Sequence, residues 1–409
     1  MRDALIIDGA RTPRGKGKPN GSLHDIHPQE LLSQVLNTLA RRTGFDTKDV
    51  DDVVIGNASA DGDHGICIGR LAVLAAGWPV EAPGLTLNRF CGSGQQAVAF
   101  AAMGIRAGFQ DLVVADGVES MSRFVPASGP PDFTARNPHL RELYPLVPQG
   151  ISADLIATVE AFDREDVDRY AVESQARAAI AQAEGRFEKS IIPVRHVDGS
   201  LALDHDEHPR PGTALEALAA LSPSFVEMGT TKVEGFDRSF DEMCKQAYPG
   251  IDRVEHVHHG GNSSGVVDGA AALVLASAEY AKAHDLTPRA RVAMHAVAGT
   301  EPVIMLTAPG PATEKVLAQA GMTLDDIDLF EINEAFAAVP LKTIRDLELD
   351  PEKVNVNGGA IALGHPIGAT GAMLVQTALD ELERRDQSTA LVTMCTGGGM
   401  GTATIIERV

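Results

Sequence analysis

The chain opens on an unbroken apolar run, Ala4-Leu5-Ile6-Ile7, closed by Asp8. A run without polar alternation predicts a strand covered on both faces. After a loop from Arg11 to Gly21, helical periodicity predicts a helix from about Pro28 to Thr43. Strands are expected near Asp52 to Gly56, at Leu85-Thr86-Leu87-Asn88 and at Leu112-Val113-Val114-Ala115, with a helix through the small residues from Gly92 to Gly108. Alternating strands and helices predict a layered α/β architecture.

Between about Ser120 and Asp252 this rhythm stops. That stretch holds proline-rich loops at 126–149, helical patterns near 152–160 and 164–186, and the charged loop Asp204 to Pro211. The rhythm resumes from Asn262 through the apolar run Gly269 to Leu275. Three units are therefore expected: an N-terminal α/β half, 1–119, completed by about 253–278; an inserted loop subdomain, 120–252; and a C-terminal α/β half, 279–409.

The chain also contains an internal match. Thr47 to Ala60 aligns without gaps on Leu324 to Ala337, and two aspartates, one isoleucine and two alanines coincide. Downstream of each copy come a strand ending in asparagine (Asn88, Asn357), a glycine-rich turn, a helix, and an apolar strand at Leu112 and at Leu391. Two similar halves facing each other would build a site at their junction.

Composition narrows the function. The 409 residues include 44% hydrophobic positions, enough for a large core. A net charge of −21 argues against a nucleic-acid binder, and a phosphate-bearing ligand would need a local basic patch. No apolar run is long enough to span a bilayer, and the first residues lack the apolar core of a signal peptide. The last residues, Glu407-Arg408-Val409, are not a peroxisomal address, so a cytoplasmic protein is expected. Cysteines at 67, 91, 244 and 395 show no paired metal spacing and are expected as free thiols.

Four segments carry candidate chemistry. In Asn88-Arg89-Phe90-Cys91-Gly92-Ser93-Gly94, Cys91 follows a predicted strand and opens a predicted helix, a setting that lowers a thiol's pKa. The alternative is a small buried apolar residue. Gly92 and Gly94 let backbone N–H groups approach a carbonyl, as an oxyanion hole requires. His365, held in a glycine-rich loop before a helix, can take a proton from a cysteine and later give one to an oxygen. Cys395 ends a strand against Gly397-Gly398-Gly399, where a thiol can act as acid and base at carbon while the glycines offer backbone donors. Asn333 can hold a water or polarise an oxygen. Its neighbour Glu334 reads equally well as a structural acceptor and stays out of the proton relay. Such a set suits thioester carbon–carbon chemistry, provided both sulfurs meet one imidazole in a pocket open to solvent.

These segments, in this order, resemble the thiolase family, the 3-ketoacyl-CoA thiolases and acetyl-CoA acetyltransferases. Gly117-Val118-Glu119-Ser120-Met121-Ser122, Asp206 to Arg210 and Gly261 to Gly269 match as well, so the resemblance spans nearly the whole chain. It implies a duplicated α-β-α-β-α layered fold whose inserted loops cover a coenzyme A site. It implies Cys91 as the acylated nucleophile, His365 as its activator and Cys395 as the group exchanging the α-carbon proton. One oxyanion hole would be His365 with a water held by Asn333, the other the N–H groups of Cys91 and Gly397. Ser264 would touch the pantetheine arm and Arg210 would lie near the nucleotide. Coenzyme A would be a co-substrate, with no permanently bound cofactor, and relatives of this kind are homodimers or homotetramers.

Two segments depart from the family pattern. Many members carry His-Met-Gly where this chain has Pro148-Gln149-Gly150, a position on the acyl side of the pocket. Glu255-His256-Val257-His258-His259 replaces the usual threonines and alanine. His256 and His258 alternate onto one face if the segment is a strand, which admits a metal reading beside the simpler one of histidines filling space. The expected activity is cleavage of 3-oxoacyl-CoA by CoA. The alternatives are biosynthetic acetoacetyl-CoA formation, a single-cysteine condensing enzyme, and a non-catalytic acyl-CoA carrier. The last two sit poorly with the retention of Cys91, Asn333, His365 and Cys395.

Overall fold

The structure is a computed structural model, described here for residues 2–124, 133–134, 137–232 and 237–409. Most of the proline-rich loop expected at 126–149 falls within this range, but 126–132 and 135–136 lie outside the described residues. Nine strands form the main sheet: β1 (Ala4–Arg11), β2 (Asp52–Gly56), β3 (Leu85–Leu87), β4 (Leu112–Ser120), β5 (Val267–Ser277), β6 (Ala290–Gly299), β7 (Leu329–Ile332), β8 (Thr389–Thr396) and β9 (Met400–Arg408). Gly15–Lys16 adds a short tenth strand on β5. The helices that build the layers are α1 (Pro28–Thr43), α2 (Ile68–Ala75), α3 (Ser93–Ala107), α4 (Gln149–Glu160), α5 (Arg164–Ala183), α6 (Pro309–Ala320), α7 (Ala338–Asp346) and α8 (Ile367–Arg385).

Strand order is β7-β8-β9-β6-β1-β5-β4-β2-β3. Read outward from the β6–β1 seam, the order is the same on both sides, with β1, β5, β4 and β2 answering β6, β9, β8 and β7. Every residue of β1, β4 and β5 is buried, because both faces of the sheet are covered. Alternate residues along each strand divide between layers. Val113, Ala115, Leu273, Leu275 and Val392 face inward onto α3 and α8, which lie side by side in the centre. Leu112, Val114, Ala272 and Val274 face outward onto Leu31, Leu32, Val35 and Leu36 of α1. Leu391, Ala403 and Ile405 pack on Val316 and Leu317 of α6. The layering is therefore helix, sheet, helix, sheet, helix.

The internal match has a structural counterpart. A 3-10 turn precedes the strand in each copy, Thr47–Asp49 before β2 and Leu324–Asp326 before β7. In both copies the aligned aspartate caps the start of the neighbouring strand. Asp51 Oδ2 accepts from the N–H groups of Asp111 (2.6 Å) and Leu112 (3.1 Å), and Asp328 Oδ2 from those of Ser388 (2.9 Å) and Thr389 (3.0 Å). The copies differ downstream. The strand expected to end at Asn357 is reduced to a single bridge from Val354 to Phe330, because the chain turns there into a 3-10 element and a loop.

The described residues within 120–252 form loops, α4, α5, four shorter helices and a small two-stranded ribbon, and a buried ion pair ties the 206–210 loop back to the sheet. Arg11, at the end of β1, donates through Nη1 and Nη2 to the two carboxylate oxygens of Asp206 at 2.7 and 2.8 Å. The N–H of Arg14 adds 2.8 Å to the same carboxylate. Burial opposes the charge on Asp206, but Arg11 and Arg14 outweigh it and hold the carboxyl below its ordinary pKa. Removing one partner strands the other. Asp206→Ala is expected to cost about 3–5 kcal/mol in urea unfolding; a loss under about 1 kcal/mol would show the pair to be dispensable.

Candidate active site

Between β3 and α3 the chain makes a tight turn that delivers Cys91. Asn88 Oδ1 accepts the Phe90 N–H at 2.7 Å, and Ser93 Oγ donates to the Phe90 carbonyl at 2.6 Å while accepting from Arg89 N–H at 2.9 Å. These bonds hold Phe90 at φ +49°, a left-handed conformation that costs a bulky residue about 1 kcal/mol or more. Turn and strand β8 are in direct contact: a Cβ on Gly92 would stand 2.8 Å from Thr396 Cγ2, and one on Gly397 3.3 Å from the Phe90 ring. Cys91 and Cys395 are brought together in this way, close enough for a charge on Cys91 to act on Cys395.

The thiol of Cys91 does not have the lowered pKa expected from its place before a helix. The helix begins at Ser93 with Gly92 as its cap, so Cys91 lies one residue outside it. Burial dominates and pushes the thiol up to about 11, with Glu119 adding to the rise. Three donors act against burial: the Gln149 side chain, the N–H of Cys91 itself and the N–H of Gly397. Cys395 is raised further, first by burial and then by Cys91. The expected opening to solvent is narrow, since Cys91 keeps 5% exposure and Cys395 none. Beside Cys91 in the chain, Phe90 is 37% exposed and Asn88 reaches the surface.

His365 sits just before α8. Thr370 Oγ1 has one proton, which it gives to the Pro366 carbonyl at 2.9 Å, so at 2.6 Å it accepts from His365 Nδ1. Nδ1 therefore carries the ring proton and Nε2 an accepting lone pair. Asn333 Nδ2 lies 3.4 Å from that nitrogen, and Asn333 Oδ1 is buried with no partner among the described residues. Burial, and after it the charge of Arg14, hold the imidazole down to about 3. In the resting site, thiol and imidazole are both neutral.

Glu334 accepts from Tyr170 Oη (3.0 Å), Ser174 Oγ (2.7 Å), Asn355 Nδ2 (3.0 Å) and the Ile361 N–H (3.0 Å). Four donors occupy its oxygens, and it locks the Asn333 loop to α5 and to the loop before His365. Glu119 does similar work on the other half, accepting from Ala58 N–H (2.9 Å) and Gly368 N–H (2.8 Å), with a carboxyl raised by burial to about 7.

Ser264 lies between the loop of Asn333 and the loop of His365. Its N–H donates to Ala335 O at 2.9 Å, and the next residue, Gly265, accepts from His365 N–H at 2.9 Å. Arg210 is exposed on the 206–210 loop, where its N–H donates to Gln175 Oε1 at 2.8 Å and its carbonyl accepts from Thr213 Oγ1 at 2.7 Å. The loop reaches the Ser264 segment through His208, whose ring would be 2.2 Å from a Cβ at Gly265.

The histidine segment is irregular rather than a strand, yet His256 and His258 do share a side. Both meet Asp154, at 2.7 and 2.8 Å, and His259 meets Asp168 at 2.8 Å. Each histidine is engaged by a carboxylate, and among the described residues no group of side chains is arranged to hold a metal. Residue types and spacing gave neither Thr370 nor Gln149 a role at the site. Thr370 left one signal, a hydroxyl one helical turn beyond Pro366 and five residues beyond His365. Gln149 left another, as a departure from the family pattern.

Residues 4–235 match the family described as thiolase, N-terminal domain, and 286–408 that described as thiolase, C-terminal domain. A β-ketoadipyl-CoA thiolase of Pseudomonas aeruginosa is 41% identical over 428 aligned positions, covering all of both chains. A 3-ketoacyl-CoA thiolase of Bacillus subtilis is 39% identical over 420, again covering all of both. A crystal structure of the Bacillus anthracis acetyl-CoA acetyltransferase superposes with a TM-score of 0.85 at 36% identity, covering 100% of this chain and 99% of that one.

Two outcomes follow from these charges. Alkylation of Cys91 by iodoacetamide should climb steadily from pH 7 towards about 11; a plateau below pH 8 would show a thiolate already formed. His256 is opposed by burial, but its bonds to Asp154 and Asp241 prevail and lift it to about 9. Its contribution is thus complete below the unfolded pKa of about 6.5 and lost as pH rises through about 9. The stability gap between wild type and His256→Gln should shrink over that window in thermal melts, and a gap independent of pH would remove the ionic account.

Proposed function

The chain belongs to the thiolase family of acyl-CoA C-acyltransferases, with coenzyme A as co-substrate, and from that premise we propose that it cleaves 3-oxoacyl-CoA with CoA into acetyl-CoA and a shortened acyl-CoA. Two groupings support this reading, Cys91 with Cys395 and the Gly397 N–H, and His365 Nε2 with Asn333. His365 Nε2 takes the Cys91 proton and the sulfur attacks C3. The C2–C3 bond then breaks, its electron pair passing to C2 as the enolate of acetyl-CoA. The enolate oxygen is held by protonated His365 and by Asn333, directly or through a water. Cys395 protonates C2 and recovers its proton from His365, so the net movement is from Cys91 to C2. CoA then gives its thiol proton through His365 to Cys91 as its sulfur takes the acyl group. The N–H groups of Cys91 and Gly397 receive the oxyanion in this second transfer. Two half-reactions through a covalent intermediate give ping-pong kinetics.

Ser264, between the two loops, fits a contact to the pantetheine arm. Arg210, exposed in a strongly acidic chain, fits a phosphate of the nucleotide. Exposed apolar side chains beside the β3 edge, Ile66, Val80, Leu85, Phe100 and Met103, support a homodimer or homotetramer. A second reading, acetoacetyl-CoA synthesis from acetyl-CoA, draws on the likeness to the Bacillus anthracis acetyl-CoA acetyltransferase. Relative rates of cleavage across acyl-CoA lengths and of condensation from acetyl-CoA separate the two.

Mass spectrometry after mixing with acetyl-CoA tests the division of labour between the sulfurs. Cys91→Ala should form no acetyl adduct and lose at least about a thousandfold in turnover. Cys395→Ala should still be acetylated at Cys91 while losing about 10²–10⁴-fold in carbon–carbon cleavage. Equal loss of the adduct in both variants overturns the assignment.

A further inference from the structure

The chain carries 35 basic against 56 acidic residues, yet one cleft is lined by four cations and a single acid. It encloses about 600 Å³ between the second half of α1 and residues 188–195. Arg41 and Arg42 line it from α1, Lys189 and Arg195 from the facing segment, and Glu188 alone opposes them. None of these residues belongs to the loops of Cys91, Asn333, His365 or Cys395.

Two of the four cations are already paired. Arg42 meets Asp8 at 2.9 Å and Lys189 meets Glu383 at 2.5 Å, and both acids are shared with Arg289. The other two have only neutral partners among the described residues. Arg41 Nη2 donates to Thr38 Oγ1 at 3.0 Å, and Arg195 Nη1 donates to the Gly199 carbonyl at 3.0 Å. A favourable helix dipole accounts for Arg41 and Arg42, which sit in the last turn of α1. It does not account for Arg195, which lines the same cleft from a different element.

The walls are fixed in place. Gln34 of α1 holds the Arg195 backbone, its Oε1 accepting the N–H at 2.9 Å and its Nε2 donating to the carbonyl at 3.0 Å. Thr38 Oγ1, which accepts from Arg41, gives its own proton to the Gln34 carbonyl at 2.8 Å. Ile192, in the facing wall, is tied to the main sheet by its N–H, which donates to the Arg11 carbonyl at 2.9 Å. An anion that enters meets donors already ordered, which lowers the entropy lost on binding. A second cavity of about 650 Å³ shares Ile191, Pro193 and Arg195 with the first and adds the apolar side chains of Phe187 and Leu201.

We propose that this cleft binds an oligophosphate anion, with Arg41 and Arg195 as its main contacts. A guanidinium presents paired N–H groups that match two oxygens of one phosphoryl group, so two guanidiniums suit a diphosphate. A single carboxylate has oxygens enough for only one of them. The diphosphate is either free or the end of a nucleotide whose apolar body extends into the second cavity. The inference is independent of the thiol chemistry.

Calorimetric titration of the full chain with inorganic pyrophosphate and with ADP, at low salt, tests the site. Binding should be saturable and should weaken about tenfold or more in Arg41→Ala and in Arg195→Ala, each of which removes a charge-assisted contact. Arg169→Ala, which removes an exposed cation outside the cleft, should bind as the wild type does. Equal affinity for the two probes assigns the site to the free anion, and tighter binding of ADP assigns it to a nucleotide. Thermal melts show that each variant is folded, and thiolytic cleavage by both cleft variants without added anion should match the wild type. Failure of both probes to bind at millimolar concentration, or the same affinities in all four proteins, overturns the proposal. Variant-sensitive binding in a chain that takes no acetyl group on Cys91 refutes the thiolase mechanism alone.

Discussion

Contact between α3 and α8 without intervening side chains makes the rest possible. A Cβ on Gly371 would stand 2.2 Å from the Gln95 amide nitrogen, one on Gly94 2.7 Å from the Gly368 carbonyl oxygen, and one on Gly117 2.3 Å from that same oxygen. Helices that meet through side chains run 8–10 Å apart at the axis, and at that distance their leading turns could not share a pocket. Here the Cys91 turn runs into α3 and the His365 loop into α8. Close approach of the two helices brings the segment that carries Cys91 in one half and the loop that carries His365 in the other to the same seam. The central apolar layer of Ala97, Ala101, Ala369 and Ala372 uses small side chains to the same end.

Closeness has an electrostatic consequence. Groups at the seam of a five-layer core are desolvated, and desolvation favours neutral forms. Cys91 is raised to about 11 and His365 lowered to about 3, so the pair rests uncharged rather than as a thiolate–imidazolium couple. Charge has to appear with the substrate, at the moment the sulfur attacks. Fixed donors matter most in such a site, because they are aimed before the charge arrives and need no reorganisation. The Gly397 and Cys91 N–H groups and the Asn333 amide fit that description. The nearby acids are turned to structural work: Glu334 is filled by four donors, and Glu119 bridges Ala58 to Gly368.

The inserted segment is held to the same seam. Asp154 joins α4 to the 256–258 segment, and His258 Nε2 accepts the Ala338 N–H at 3.4 Å, next to the loop that presents Asn333. A network of carboxylate-bound histidines thus runs from the helix bearing Gln149 to the opposite side of the pocket. Packing alone does not demand such residues there. They confer rigidity where two loops must keep a fixed distance.

Much of this was legible along the chain. Apolar runs marked β1, β4 and β5, helical periodicity marked α1 at its observed ends, and the aligned aspartates Asp51 and Asp328 exposed the duplication because capping a strand start requires the same residue in each copy. The strand expected before Asn357 failed because local apolar pattern does not report whether a neighbour is there to pair with. The four segments of the candidate site could be found because glycine, cysteine, histidine and asparagine are costly to keep in loops without a use. Residue types determined what chemistry was available. The tertiary structure alone decided the charge state of Cys91, since a helix start predicted a thiolate and burial at the seam of two halves, a sum over distant neighbours, kept the proton on.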